Sequence, residues 1–201
     1  PVMEGFGAFL LEKSNFENKA ISGRIGEALE NLFVLKGWQE IQVSEPLIRE
    51  FYFPDREIAF ARDKKGNEGF YFAAKGGNNG EGHNHNDVGS CMLYFNGSPV
   101  LIDVGVGAYT AKTFSDQRYT IWTMQSNYHN LPVINGFGRS PGGKFKAQNS
   151  EYTQAKDKVT FMTDIAGAYS TEAGVQKWVR TYTLERDKKF IINDQYQLKE
   201  Y

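Results

Sequence analysis

The chain has 201 residues, of which 40% are hydrophobic and 14% aromatic; this is enough for one main core with an appendage, and it rules out a disordered chain. Its 23 Lys and Arg against 24 Asp and Glu give a net charge of −1, which excludes binding to nucleic acid or an anionic membrane by charge alone. Cys91 is the single cysteine, so no intrachain disulfide forms, and apolar runs such as Leu32-Phe33-Val34-Leu35 are too short to span a bilayer as a helix.

In chain order, residues from about 6 to 13 read as a short helix. Between Ser22 and Leu35 the positions Ile25, Ala28, Leu29, Leu32 and Phe33 follow the spacing of an amphipathic helix, with Ser22 placed to cap its start and Gly37 to end it. A lone helical hairpin buries little, so residues 1–45 are expected to complete a helical body upstream, with any signal peptide also preceding Pro1. Glu45-Pro46 reads as a linker.

From residue 50 to 201 the signal changes to period two with turn punctuation. Ile58–Arg62 and Gly69–Ala74 read as strands of a hairpin around Asp63–Asn67. Cys91–Phe95 and Val100–Val104 flank Asn96-Gly97, the favoured two-residue hairpin connection because both central residues must tolerate positive φ. Further strands are expected at Lys158–Thr163, Val175–Leu184 and Lys189–Gln197. Many short strands with frequent turns predict a mainly β fold, an antiparallel sandwich. Cys91, within an apolar strand pattern, reads as a small core residue.

The chemistry-bearing residues are few. All three histidines, His83, His85 and His129, lie in polar runs, two of them within Gly80-Glu81-Gly82-His83-Asn84-His85-Asn86-Asp87. In an extended segment, i and i+2 side chains share a face, close enough to converge on one metal or one substrate group. Asp103 interrupts the apolar run Val100-Leu101-Ile102-Val104, and a buried carboxylate is costly unless paired or metal-bound. Two imidazole-bearing runs and a carboxylate supply a zinc-type ligand set. Each has a bland alternative: Asp103 as a hydrogen-bonded strand-end carboxylate, His129 as a structural histidine. Arg118 and Arg139 lie near these runs and could meet anionic groups; for Arg139 an ordinary solvated arginine is the preferred reading.

Taken together, His83-Asn84-His85-Asn86-Asp87-Val88-Gly89-Ser90, Pro99-Val100-Leu101-Ile102-Asp103-Val104-Gly105-Val106-Gly107 and Tyr128-His129-Asn130 resemble the C-terminal β-domain of the heparinase II/III-like polysaccharide lyases, and the resemblance runs the length of the chain. It implies an N-terminal (α/α) toroid in the same protein, a glycan cleft between the two parts, and residues 1–45 as the toroid's end. It further implies His83 as the active-site histidine and His85, Asp103 and His129 as ligands of a divalent metal, zinc by donor type; a ligand two residues from His83 is expected to brace the glycine-rich loop, a mainly structural role, and Asn84 and Arg118, by their place beside these runs, are expected substrate contacts. The implied activity is β-elimination on a uronate-containing glycan of the heparin, heparan sulfate or alginate kind, in the periplasm or outside the cell. The family's catalytic tyrosine lies in the toroid, so no tyrosine here is assigned as the base. The competing readings are a nonenzymatic, metal-stabilised carbohydrate-binding or interaction sandwich and a zinc hydrolase, for which no Glu is clearly placed as general base.

Overall fold

The computed structural model describes residues 48–199; the helices expected within 1–45 and the Glu45-Pro46 linker lie outside the described residues. The described strands are β1 (Glu50–Phe53), β2 (Ile58–Arg62), β3 (Phe70–Lys75), β4 (Asn78–Asn79), β5 (Cys91–Phe95), β6 (Ser98–Leu101), β7 (Gly142–Lys146), β8 (Gln148–Gln154), β9 (Lys158–Asp164), β10 (Val175–Glu185) and β11 (Lys189–Leu198). They form a five-stranded sheet in the order β1-β2-β3-β5-β6, a four-stranded sheet β11-β10-β9-β8 and a small pair β4-β7, all antiparallel. Short 3-10 turns fill the stretch between residues 111 and 128.

Strand alternation builds the core. Ala59 and Ala61 of β2, Phe72 and Ala74 of β3, and Cys91 and Leu93 of β5 are buried in one cluster with Val159 and Phe161 of β9 and Tyr182 and Leu184 of β10. Small side chains on the first sheet leave room for the rings of the second, and the two faces close as the expected antiparallel sandwich. Cys91 is a core residue, and burial pushes its thiol up to about 11. A second cluster brings Val88 and Ile134 together with Ile165, Tyr169 and Trp178.

Asn96 and Gly97 both adopt positive φ, 50° and 76°, in the expected hairpin turn. Pro99 is the second residue of β6, an edge strand that can spare a ladder N–H. The strand ends at Leu101, however, and not at Val104, so Asp103 lies on the loop after the sheet. Strands β1, β4, β7 and β8 were not expected from the sequence. β8 is mostly exposed and lacks a strong apolar alternation, while β1 is four residues long and stops against Pro54.

The outer face of the first sheet carries linked rings. Phe51 lies 4.6 Å from Phe53 and 6.3 Å from Phe60, Phe60 lies 6.5 Å from Tyr71, and Tyr71 lies 6.4 Å from Tyr94, between ring centroids. The inner face is tied to the loops by β10. The Tyr182 hydroxyl donates to the Gly89 carbonyl at 2.5 Å, while Arg180 Nη1 donates to the carbonyls of Gly89 at 3.1 Å and Asn130 at 3.2 Å. Arg180 is itself held by Asp194, with Nε–Oδ1 and Nη2–Oδ2 both 2.7 Å. Gly89 has φ 79°, and a Cβ there would stand 2.9 Å from Ile165 Cγ2, so glycine is required for this close approach. Tyr182→Phe is expected to lower the unfolding free energy by about 1–2 kcal/mol, because a buried carbonyl loses one of its donors. Urea titration measures this, and wild-type stability in the variant would count against the tie.

Candidate functional site

Three loops meet at one end of the first sheet. The first leaves β3, passes through β4 and returns as β5, carrying His83 and His85; the second follows β6 and carries Asp103; the third closes the run of 3-10 turns and carries His129. Asn130, at φ 58°, stitches the second and third to the sheet by donating from Nδ2 to the carbonyls of Cys91 at 3.1 Å and Ile102 at 2.8 Å. The first is held to the third by the Asn86 N–H, which donates to the Met124 carbonyl at 3.0 Å.

One ligand atom each of His85, Asp103 and His129 lies within 4.8 Å of the others. His129 is fully buried, and its Nε2 lies 3.0 Å from the Thr123 carbonyl, which can only accept, so Nε2 carries the proton and Nδ1 faces the cluster. That Nδ1 lies 2.6 Å from Asp103 Oδ2, while Asp103 Oδ1 accepts the Gly105 N–H at 2.7 Å. The His85 ring stands 5.1 Å from the His129 ring. Burial by itself disfavours charge on both partners, but their pairing wins: it raises His129 above the ordinary histidine value and, with the Gly105 N–H, lowers Asp103 below the ordinary carboxylate value. Burial, followed by the neighbouring His129, lowers His85, which favours the neutral imidazole that metals bind.

These residues fit a divalent metal. Two imidazoles and a carboxylate converge, and the Thr123 carbonyl fixes the His129 tautomer as an outer partner of a metal-bound histidine does. A close Nδ1–carboxylate contact needs a cation between the two, either a proton or a metal ion. Asp103 therefore does not stand as a buried acid within a strand: its side chain is 29% exposed at a loop mouth, with an oxygen on each of two partners.

His83 is exposed, at the left-handed φ of 57°, with its ring 6.1 Å from that of Tyr109. Histidine is among the non-glycine residues enriched in this region, and Asn96 and Asn130 adopt it as well. It lines a cleft together with Lys75, Glu81, His85, Asp103 and Met92. Asn84 lines the same cleft but is buried, with Nδ2 3.4 Å from the Tyr119 hydroxyl. Arg118 donates from Nε at 3.0 Å and Nη2 at 2.9 Å to the Asn84 carbonyl and from Nη1 at 2.8 Å to that of Thr113, so it braces the histidine loop. Arg139 is not the solvated arginine expected. It is buried over the Tyr169 ring at 4.5 Å, its Nη1 donates to the Ile165 carbonyl at 3.3 Å, and burial lowers its pKa to about 10. Sequence reasoning also passed over Thr123 and Asn130. Thr123 contributes its backbone carbonyl, and Asn130 donates its side-chain amide to two carbonyls distant in sequence, partners that residue type does not reveal.

A family model described as Heparinase II/III-like, C-terminal matches residues 51–200. No curated protein matches the chain by sequence. Among solved structures, heparan sulfate lyase HepC from Pedobacter heparinus has a TM-score of 0.65 at 14% identity, covering 98% of this chain and 28% of its own. A heparinase III has a TM-score of 0.63 at 17% identity, covering 89% of this chain and 28% of its own, and a second heparinase III structure gives 0.58, 18%, 78% and 24% in the same order. The chain thus spans under a third of the length of these lyases and shares their fold. With the family model covering most of its length, the chain belongs to the heparinase II/III-like family, residues 51–200 matching the family's C-terminal domain and the described strands forming its β-sandwich.

Proposed function

We propose that this chain is the C-terminal part of a polysaccharide lyase that cleaves a uronate-containing glycan, of the heparin, heparan sulfate or alginate kind, by β-elimination. The observation that carries the reading is the cleft in which exposed His83 stands beside the His85–Asp103–His129 cluster, within a domain of this family. Removing the C5 proton, α to the carboxylate, sends charge onto that carboxylate as the C4 oxygen departs. A donor fixed at the carboxylate stabilises the charge as it develops, and His83 is the exposed imidazole on the cleft wall for that role. Asn84 and Arg118 serve the substrate by shaping this wall.

His85, Asp103 and His129 would hold a divalent metal, zinc by donor type, which when bound supplies a rigid tie between the three loops. The proton-abstracting group comes from an upstream toroid domain. The aromatic face of the first sheet, where Phe51, Phe53 and Tyr71 are exposed, is the surface this reading offers to a further domain in the complete protein. The protein acts in the periplasm or outside the cell, where its glycan is met. A zinc hydrolase needs a free general base, and the cleft carboxylate Glu81 lies 3.3 Å from the Lys75 ammonium. The reading is tested by incubating the full-length protein with a panel of uronate glycans and following ultraviolet absorbance of the products. Unsaturated uronate ends are expected. Saturated products would make it a hydrolase, and no cleavage with retained binding would make it a nonenzymatic carbohydrate-binding sandwich.

A further inference from the structure

The loop that carries His83 and His85 closes on a single residue. Lys75, the last residue of β3, donates its N–H to the Ser90 carbonyl at 3.1 Å, and its own carbonyl accepts the Gly89 N–H at 2.7 Å. The chain therefore departs and returns at the same point, as in an Ω-loop. Inside this pinch the Lys75 ammonium meets Asp87 Oδ1 at 2.8 Å and Glu81 Oε2 at 3.3 Å, with all three side chains less than a fifth exposed. Glu81 stands two residues before His83 and Asp87 two residues after His85.

We propose that Lys75 is a positioning residue for the site, a clasp on the rigid sheet that grips both flanks of the histidine loop and sets where His83 and His85 point. The inference rests on the reading of His83 and His85 as functional, and it deepens that reading. Lys75 lines the cleft, but it does not present a free ammonium to a glycan carboxylate, because two carboxylates of its own chain already hold it. Glycine-rich sequence on one side of the loop offers little stiffness of its own: Gly76, Gly77, Gly80 and Gly82 precede His83. Gly77, at φ 68°, also leaves room for the clasp, since a Cβ there would stand 2.8 Å from Glu81 Oε1. With the ammonium removed, two partly buried carboxylates face each other without a cation, and repulsion drives the flanks apart. A supporting group that lets a site loosen by about 1 Å is enough to impair it.

The test uses the 201-residue chain with Lys75→Met and Lys75→Arg, read by cobalt(II) absorption titration and by amide hydrogen exchange across residues 81–90. Lys75→Met is expected to weaken cobalt binding by about tenfold or more, in the range of outer-partner losses, and to speed exchange in the loop while β9 and β10 keep wild-type protection. Lys75→Arg, which keeps the charge, should recover most of both. If Lys75→Met does not fold, Glu81→Gln and Asp87→Asn release one flank each, and exchange should rise on the released flank. Wild-type cobalt affinity with unchanged loop exchange in these variants overturns the clasp. If the wild-type chain takes up no cobalt, the metal reading falls, and loop exchange alone decides the clasp in the same way.

Discussion

Replacing Asp103 with alanine is expected to cut metal affinity by about two orders of magnitude or more, above the 10–100-fold typical of an outer partner, since a direct ligand is removed. The same substitution deprives His129 Nδ1 of its partner at 2.6 Å and the Gly105 N–H of its acceptor at 2.7 Å. His129 is fully buried and keeps only the Thr123 carbonyl, so the loss extends to the fold. At a metal concentration about a hundred times the dissociation constant, binding contributes about 2.7 kcal/mol, and the variant forfeits most of that stabilisation. Elemental analysis beside thermal melts at fixed metal concentration measures both effects. Equal metal content in wild type and variant would remove Asp103 from the ligand set.

His83→Ala in the full-length protein should lower kcat by about 10²- to 10⁴-fold with a much smaller change in KM, because in the proposed mechanism the imidazole acts on charge that appears as the proton leaves. Stability should behave differently. His83 is exposed and held at φ 57°, so neither burial nor a favourable backbone conformation is lost on substitution. His83→Gly relieves the left-handed strain and should stay within about 1 kcal/mol of the wild type, since the relief offsets glycine's greater freedom when unfolded. The expected order is thus Asp103→Ala well below His83→Ala in melting temperature, with the reverse order in residual turnover. Unimpaired turnover in His83→Ala would take His83 out of the mechanism. The 201-residue chain alone should show no lyase activity if, as proposed, the proton-abstracting group lies in a separate toroid domain.

What could be read before folding was local. Asn96-Gly97 announced its hairpin because positive φ at two successive residues is a property of those side chains. β2, β3, β5 and β10 were legible because one face of each is buried against the opposite sheet and the alternation records it. β8 has no such record: it lies at the edge of the second sheet and is mostly exposed, so its pairing with β9 is a tertiary fact. Asp103 shows the converse error. Apolar neighbours suggested a strand, yet Val100 and Ile102 are largely exposed, and the carboxylate folds back onto Gly105 beyond the strand end. At the site, residue type indicated which side chains carry chemistry, and the three loops do bring His85, Asp103 and His129 together. The supports could not be seen from the sequence. Thr123 acts through its carbonyl, Asn130 donates to the carbonyls of residues far away in sequence, Arg139 is buried beside a second cluster of the core, and Lys75 reaches Asp87 across a loop that closes only in three dimensions.

The proposed site holds one ion between three loops beside His83, and anomalous diffraction from crystals of the zinc-loaded chain, recorded on both sides of the zinc absorption edge, locates such an ion. A single strong peak is expected, bonded to His129 Nδ1, a His85 ring nitrogen and an Asp103 oxygen, with the Nδ1–Oδ2 contact opened to admit the ion and the Thr123 carbonyl still on Nε2. No peak among these residues, with the His129–Asp103 contact kept at 2.6 Å, would remove the metal from the site.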